Sequence, residues 1–284
     1  MQIAARWLAL PAFYTWPSSP EDNDTMPDSG APACLLCLFR HVCHNAGPQA
    51  PLPHAPMALQ PELVEVRTGE HVFRQGRPAL TVYPLRHGSA KQVYESPLGW
   101  RQVTGFSLPG DVLGLEPHEG PVYGTGAIAL QDAMVCAVSV ESLRTLMQAA
   151  PFRETVLEAM RRNAERERVL LVAVGSMRAP QRLAMLLLDL AGEQARRDGN
   201  RDGALTLAMS RTDIASLLGL TLETVSRLLS RFASVGLISV RQRHLRIIDR
   251  DGLAAVYADL DPAPRQAAAR SEAYGGEFGE PRLA

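Results

Sequence analysis

The residues of this chain best suited to chemistry are four cysteines: Cys34, Cys37, Cys43 and Cys136. Three lie within ten positions, spaced Cys34-x2-Cys37-x5-Cys43, and the fourth stands far downstream. In a chain of 284 residues four thiols are too few to serve as disulfide staples, so their clustering points to metal, iron–sulfur or redox chemistry. Three readings are open at this level. Four thiolates suit a cubane iron–sulfur cluster. Three cysteines with His41 or His44 suit a four-coordinate zinc site, which leaves Cys136 idle. A thiol–disulfide switch among Cys34, Cys37 and Cys43 needs no metal. Leu35, Leu36, Leu38 and Val42 lie between or beside the thiols and are expected to shield them from water. Taken alone, Cys136 with Met134 and Val138 around it reads as a buried structural cysteine.

A second stretch carries recognition chemistry. Ser210 or Thr212 can cap a short helix with Ile214, Leu217 and Leu218 on one side. Gly219 falls where the chain must turn sharply, a place for positive φ. Thr221 then caps a second helix with Val225, Leu228, Leu229 and Phe232 facing inward. Two short helices joined by a tight glycine turn form a helix-turn-helix. Glu223, Ser226 and Arg227 lie near the start of the second helix and point away from its apolar face, where a recognition helix meets base edges. Arg227 has the donors for guanine O6 and N7, and Glu223 can accept from cytosine N4. Ser226 can bond a base or a phosphate, while Arg211 and Arg231 suit the phosphate backbone. Leu237–Val240 and Leu245–Ile248, bridged by Arg241 to His244, read as a hairpin wing with a basic tip.

The hydrophobic pattern supplies the elements that must position these groups. From Leu63 to Val138 short apolar runs alternate with turn signals at Gly69, Gly76, Gly88, Pro97, Gly110 and Gly120, the pattern of a β-barrel or β-roll. Ser139 to Gln148 reads as a short helix. Pro151 opens a much longer one, in which Leu157, Met160, Ala164, Glu167, Leu171 and Val174 recur at alternating spacings of three and four. That is a short coiled-coil seam interrupted by one acid. Such a helix packs on its own barrel or pairs with a second copy, and in the paired case two Glu167 carboxylates meet and weaken the dimer. Gln181 to Arg197 forms a further helix, and Arg196 to Asn200 a polar loop.

The expected organisation is α+β. Residues 1-33 form a disordered extension, 34-56 a flexible cysteine-rich segment and linker, and 57-150 a β-roll sensor. Residues 151-178 form a dimerisation helix, 179-260 a winged helix-turn-helix domain and 261-284 a disordered tail.

Composition narrows the function classes. With 29 basic and 30 acidic residues the net charge is −1, so a nucleic-acid binder must concentrate its cations locally. Those cations are nearly all arginine, Lys91 being the only lysine. The apolar opening from Met1 to Trp16 is broken by Pro11 and Pro17 and reads poorly as a signal peptide; Met26 as the true start is the plainer alternative. No apolar run is long enough to span a bilayer, and a cytoplasmic location without a membrane partner is expected. Neither a phosphate-binding glycine loop, nor a Ser/His/Asp arrangement, nor a nucleotide fingerprint is present, which argues against an enzyme. An iron–sulfur electron-transfer protein remains the alternative from a different class.

Together the motif Gly69-Glu-His-Val-Phe-Arg-Gln-Gly76 and the segment Gly219-Leu-Thr-Leu-Glu-Thr-Val-Ser-Arg227 resemble the CRP/FNR superfamily of bacterial regulators. The resemblance runs from about Cys34 to Ala258, and the helix segment is very similar to the FNR branch, whose name stands for fumarate and nitrate reduction. It implies a cyclic-nucleotide-binding-like roll, a dimerisation helix and a winged helix-turn-helix. In that branch three N-terminal cysteines and a fourth in a Met-Val-Cys context, here Met134-Val-Cys136, hold an oxygen-responsive 4Fe-4S cluster. The residues matching Glu223, Ser226 and Arg227 read TTGAT half-sites, so the implied target is a TTGAT–ATCAA palindrome with a four-base-pair spacer. The implied partners are double-stranded promoter DNA, a second copy of the chain and RNA polymerase, the last through loops such as Glu95 to Trp100. The implied role is control of anaerobic or microaerobic gene expression, including activation. Cyclic AMP is not expected: Pro117 to Ala127 holds no arginine to neutralise a phosphate, and Glu116 alone could match only the ribose ligand.

Overall fold

The computed structural model describes residues 32–43, 58–115, 121–198 and 203–258. The expected disorder of 1–31 and 261–284, the linker Gly47–Pro56, His44 and Glu116 lie outside them. The short apolar runs fold into two four-stranded antiparallel sheets. One holds β1 (Glu62–Val66), β8 (Ala133–Ser139), β3 (Thr81–His87) and β6 (Val112–Leu113) in that order. The other holds β2 (His71–Phe73), β7 (Gly126–Ala129), β4 (Ala90–Glu95) and β5 (Arg101–Ser107). Val66, Leu85, Ala129, Ala133 and Val135 form one part of the roll's core. Another part is aromatic. Phe73 stacks on Tyr123 at 4.1 Å between ring centroids and on Tyr83 at 5.7 Å, and the Tyr123 hydroxyl donates to the Thr81 carbonyl at 2.6 Å. At Gly88 the roll turns with φ +82°, and an added Cβ would lie 2.6 Å from the Asp132 carbonyl oxygen, so glycine is required there.

The cysteine segment differs from the flexible strip that the sequence suggests. It opens with a one-turn helix, α1 (Pro32–Leu36), so the expected boundary at residue 33 falls inside a helix. Leu38, Phe39 and Val42 behind it are buried. They share an apolar cluster with Leu59, Val82 and Val138 of the roll and Leu143 and Leu146 of α2 (Val140–Leu146). Phe152 and Val156 of α3 (Ala150–Ser176) complete the cluster. Three buried apolar anchors in so short a segment account for its order. Leu35, in contrast, faces solvent and shields nothing.

Over its 27 residues, α3 begins with Pro151 in its first turn and buries only Phe152, Val156 and Ala173. Of the two expected packings, the one on the roll is present in the first turns, and the later turns leave an apolar edge uncovered. The DNA-side unit follows with α4 (Ala179–Asp198), β9 (Ala204–Thr206), α5 (Arg211–Leu218), α6 (Leu222–Ser234), β10 (Ile238–Arg241), β11 (His244–Ile247) and α7 (Arg250–Ala258). Arg196 and Arg197 are not in a loop, as their polarity suggests, but in the last turn of α4. There Glu193, one turn earlier, holds both.

Candidate cysteine site and nucleic-acid interface

Cys34 on α1, Cys37 and Cys43 behind it, and Cys136 on β8 line one small cavity, together with Phe39, Arg40, Leu59, Pro61, Pro84 and Val138. Strand β8 supplies the fixed point, because Cys136 sits in register with Leu63 of β1. The segment reaches it through a backbone bond from the Leu59 N–H to the Val42 carbonyl and a bridge between Cys43 and Leu59. Cys34 and Cys136 are buried, Cys37 and Cys43 partly so, and all four are free thiols. Burial pushes Cys37 up to about 12, opposed by the Phe39 N–H at 3.4 Å from its sulfur and reinforced by Cys136, Cys43 and Cys34. Burial likewise raises Cys136 to about 11, with Cys43 and Cys34 adding to it and Arg86 opposing. Cys37 and Cys136, with so little to stabilise their anions, need a cationic centre before they ionise.

Four thiols around one cavity match the number of ligands a cubane takes. A zinc ion draws four donors to one point at about 2.3 Å, whereas a cubane takes one thiolate at each of four separate irons. Among the described residues no three His, Cys, Asp or Glu side chains are placed to share one ion. His41 accepts a bond from Arg40 Nε at 2.8 Å and does not line the cavity.

The reading unit forms as the sequence suggests, with Ser210 rather than Thr212 as the cap of α5. Its hydroxyl accepts from the Asp213 N–H, and the Asp213 carboxylate accepts from the Ser210 N–H, a reciprocal capping box. Gly219 turns the chain with φ +61°, and Thr221 caps α6 by accepting from the Thr224 N–H. Ile214, Leu217, Leu218, Val225, Leu228, Leu229 and Phe232 are buried. Glu223, Arg227, Arg211 and Arg231 are exposed, with Ser226 half-exposed between them. Arg211 donates to Ser226 at 3.4 Å, which puts the expected phosphate-contacting arginine beside the reading face. The wing is three-stranded: β9 pairs with β11 on the side opposite β10. Three residues after an undistinguished polar stretch gave no strand signal, and α7 was likewise unforeseen because Gly252 interrupts its pattern.

Joining these parts are residues that sequence reasoning did not single out. Phe39 packs on Phe152 with centroids 5.6 Å apart, so the cysteine segment touches α3 directly. Lys91 of β4 donates to Asp213 of α5 at 2.5 Å, and the Val103 N–H donates to Ser216 Oγ at 2.9 Å, docking roll on reader. Burial alone would raise the Asp213 carboxyl, but Lys91 and the two Ser210 bonds outweigh it and hold it below its usual range. Asp111 of the roll, Arg166 of α3, and Glu193 and Arg197 of α4 form a further ionic junction. The one available signal was Lys91, a lone lysine in an arginine-rich chain. Of the expected seam, Leu157, Ala164, Glu167, Leu171 and Val174 are exposed and Met160 is half-buried.

A roll of cyclic-nucleotide type, followed by a long helix and a winged helix-turn-helix with a free reading face, defines a DNA-binding transcription regulator. Comparison with known proteins agrees. A profile described as "Cyclic nucleotide-binding domain" matches residues 63–150, and one described as "Crp-like helix-turn-helix domain" matches residues 181–256. The chain is 38% identical over 221 residues to the transcriptional regulatory protein btr of Bordetella pertussis, covering 78% of this chain and 91% of that protein. It is 33% identical over 192 residues to the transcriptional activator protein anr of Pseudomonas aeruginosa, covering 67% of this chain and 78% of that protein. Among solved structures, FixK2 from Bradyrhizobium japonicum matches with a TM-score of 0.64 at 29% identity, over 70% of this chain and 98% of that one. This chain belongs to the CRP/FNR family of transcription regulators, whose members here are regulators and not enzymes. No helix among the described residues is long and apolar enough to cross a membrane.

Proposed function

We propose that this regulator senses oxygen through a 4Fe-4S cluster held by Cys34, Cys37, Cys43 and Cys136, and that it binds TTGAT–ATCAA palindromes as a homodimer. The observation that carries the reading is the convergence of all four thiols on one cavity whose wall residue Phe39 packs on α3. When bound, the cluster supplies cationic anchors for four thiolates and a centre that oxygen can attack. The chain's own residues do the rest. Cys136 ties the segment to β8, and Phe39 presses on Phe152 at the root of α3. The exposed Leu157, Leu171 and Val174 offer an edge to a second copy, and Glu167 opposes that pairing. In the dimer, two α6 helices present Glu223, Ser226 and Arg227 to half-sites about one helical turn apart. Thr221 sets the start of each helix, and Arg211 and Arg231 meet phosphates.

The aromatic stack of Phe73, Tyr123 and Tyr83 occupies the interior of the roll, which supports a sensor without cyclic nucleotide. At the β4–β5 tip Leu98 and Trp100 are exposed, a surface suited to RNA polymerase. The test is anaerobic purification with iron and sulfide analysis, visible spectroscopy and a gel shift on the palindrome. Four irons per chain, lost in Cys136→Ser along with DNA affinity, support the reading. A colourless, iron-free protein with full DNA affinity overturns it, and zinc retained by Cys136→Ser establishes the zinc site instead.

A further inference from the structure

We infer that Arg182 is the positioning residue that fixes the reading helix relative to the dimer helix, and so sets the spacing between half-sites. This rests on the reading of α3 as a dimer helix and α6 as the DNA reader. Arg182 lies in the first turn of α4, on neither of those helices. Its Nε donates to the Met177 carbonyl at 3.0 Å and its Nη2 to the Val174 carbonyl at 2.7 Å, both at the end of α3. Its Nη1 donates to the Leu218 carbonyl at 2.9 Å, at the end of α5. One planar guanidinium therefore joins the ends of two helices at three points.

Each end needs such a partner. The last carbonyls of a helix have no intrahelical donor and carry the negative end of its dipole. Neither α3 nor α5 has a basic residue in its own last turn. Arg182 supplies the missing cation to both at once. The joint is close-packed around it: a Cβ built on Gly219 would lie 3.4 Å from a Val174 methyl and 3.5 Å from Arg182 Nη1. From the bonded Leu218 carbonyl the chain runs through Gly219 directly into α6 and its reading residues. α3 sits near the two-fold axis of the proposed dimer, so this joint occurs twice between the two reading helices. A slack joint lets each helix wander and blurs the distance between them, while each α6 still meets its own half-site.

The experiment is a spacer scan with full-length, anaerobically purified protein on TTGAT–ATCAA duplexes with three, four and five central base pairs, alongside a single half-site duplex. The wild type is expected to favour one spacer. In Arg182→Gln, affinity for that spacer is expected to fall about ten- to a hundredfold, as for the loss of bonds to a charged donor. Its half-site affinity is expected to stay at the wild-type level, so the spacer profile flattens. Arg182→Lys, which keeps the charge but not the planar fork, is expected to fall between the two. Equal loss on half-site and full-site duplexes, or a profile identical to wild type, overturns the assignment of Arg182 alone. A flat profile in the wild type overturns the dimer reading and this inference with it.

Discussion

Removal of the Phe39 ring is the perturbation that most directly tests how the cysteine segment is tied to α3. Phe39 is 1% exposed and Phe152 2% exposed, with ring centroids 5.6 Å apart and planes tilted by 45°. Truncating either ring to alanine removes a fully buried aromatic side chain, which costs about 3–5 kcal/mol. The part that belongs to the pair itself is smaller, about 1 kcal/mol for a tilted aromatic contact. A double-mutant cycle with Phe39→Ala and Phe152→Ala isolates that part, because each single change removes the same contact. The contact lies within each chain and acts on dimerisation only by as much as it differs between monomer and dimer, so its two copies set an upper bound of about 2 kcal/mol, or about thirtyfold in the dimerisation constant. The assay is sedimentation equilibrium of the iron-loaded proteins, with iron content confirming that the site is still filled. Phe39→Leu, which keeps most of the volume, is expected to retain the cluster while losing the ring pairing. Strict additivity of the two alanine variants, or wild-type dimerisation by iron-loaded Phe39→Leu, refutes the reasoning.

Two further predictions concern the reader and the junction. Arg227→Ala is expected to weaken palindrome binding by about 1–3 kcal/mol per half-site and to relax discrimination at the guanine, measured by gel shift against single-base variants. Uniform weakening across all sequences would instead assign Arg227 to the phosphates. Asp189 of α4 is the third case: burial pushes its carboxyl up to about 7, Glu193 adds to the shift, and Arg166 and Arg196 oppose it. A raised acid favours the folded state while protonated, so this contribution is complete below about pH 4 and is lost as the pH rises toward 7. Asp189→Asn cannot ionise and is expected to flatten the fall in stability between about pH 4 and 7, by up to about 4 kcal/mol, in urea unfolding. Parallel pH profiles for the two proteins would remove Asp189 from the account.

The reading unit was legible because its signals are local. Capping residues, a glycine turn and inward apolar residues at helical spacing each act within a few positions, and Ser210, Gly219, Thr221 and Phe232 all take the expected places. The strands of the roll were legible for the same reason, as alternation and turn residues repeat along them. What escaped is tertiary. Nothing near Phe39 in the chain says that it meets Phe152, and nothing near Arg182 says that two helix ends will gather around it. Lys91 and Asp213 are 122 positions apart. β9 is too short to show a period, and it exists because β11 offers it an edge. The four cysteines fall between these cases: spacing marks three as a group, but only the fold brings Cys136 to their cavity.

The two ties at the ends of α3 suggest why a small sensor can act on a distant reader. A 27-residue helix spans about 40 Å, with Phe152 packed on the cysteine segment at one end and Val174 held by Arg182 at the other. Between them the seam is poised. Leu171 is 74% exposed and Leu157 53% exposed, so covering them with a second copy is favourable, while Glu167 on the same edge resists pairing. When such opposing terms nearly cancel, a difference of one or two kcal/mol at the root of the helix changes the dimerisation constant by about five- to thirtyfold. The Phe39–Phe152 pair has about that strength, and a much stronger tie would leave the dimer locked whatever the state of the thiols. In the proposed mechanism the contact works because it is weak, and the Glu167 carboxylate keeps the rest of the seam from making it irrelevant.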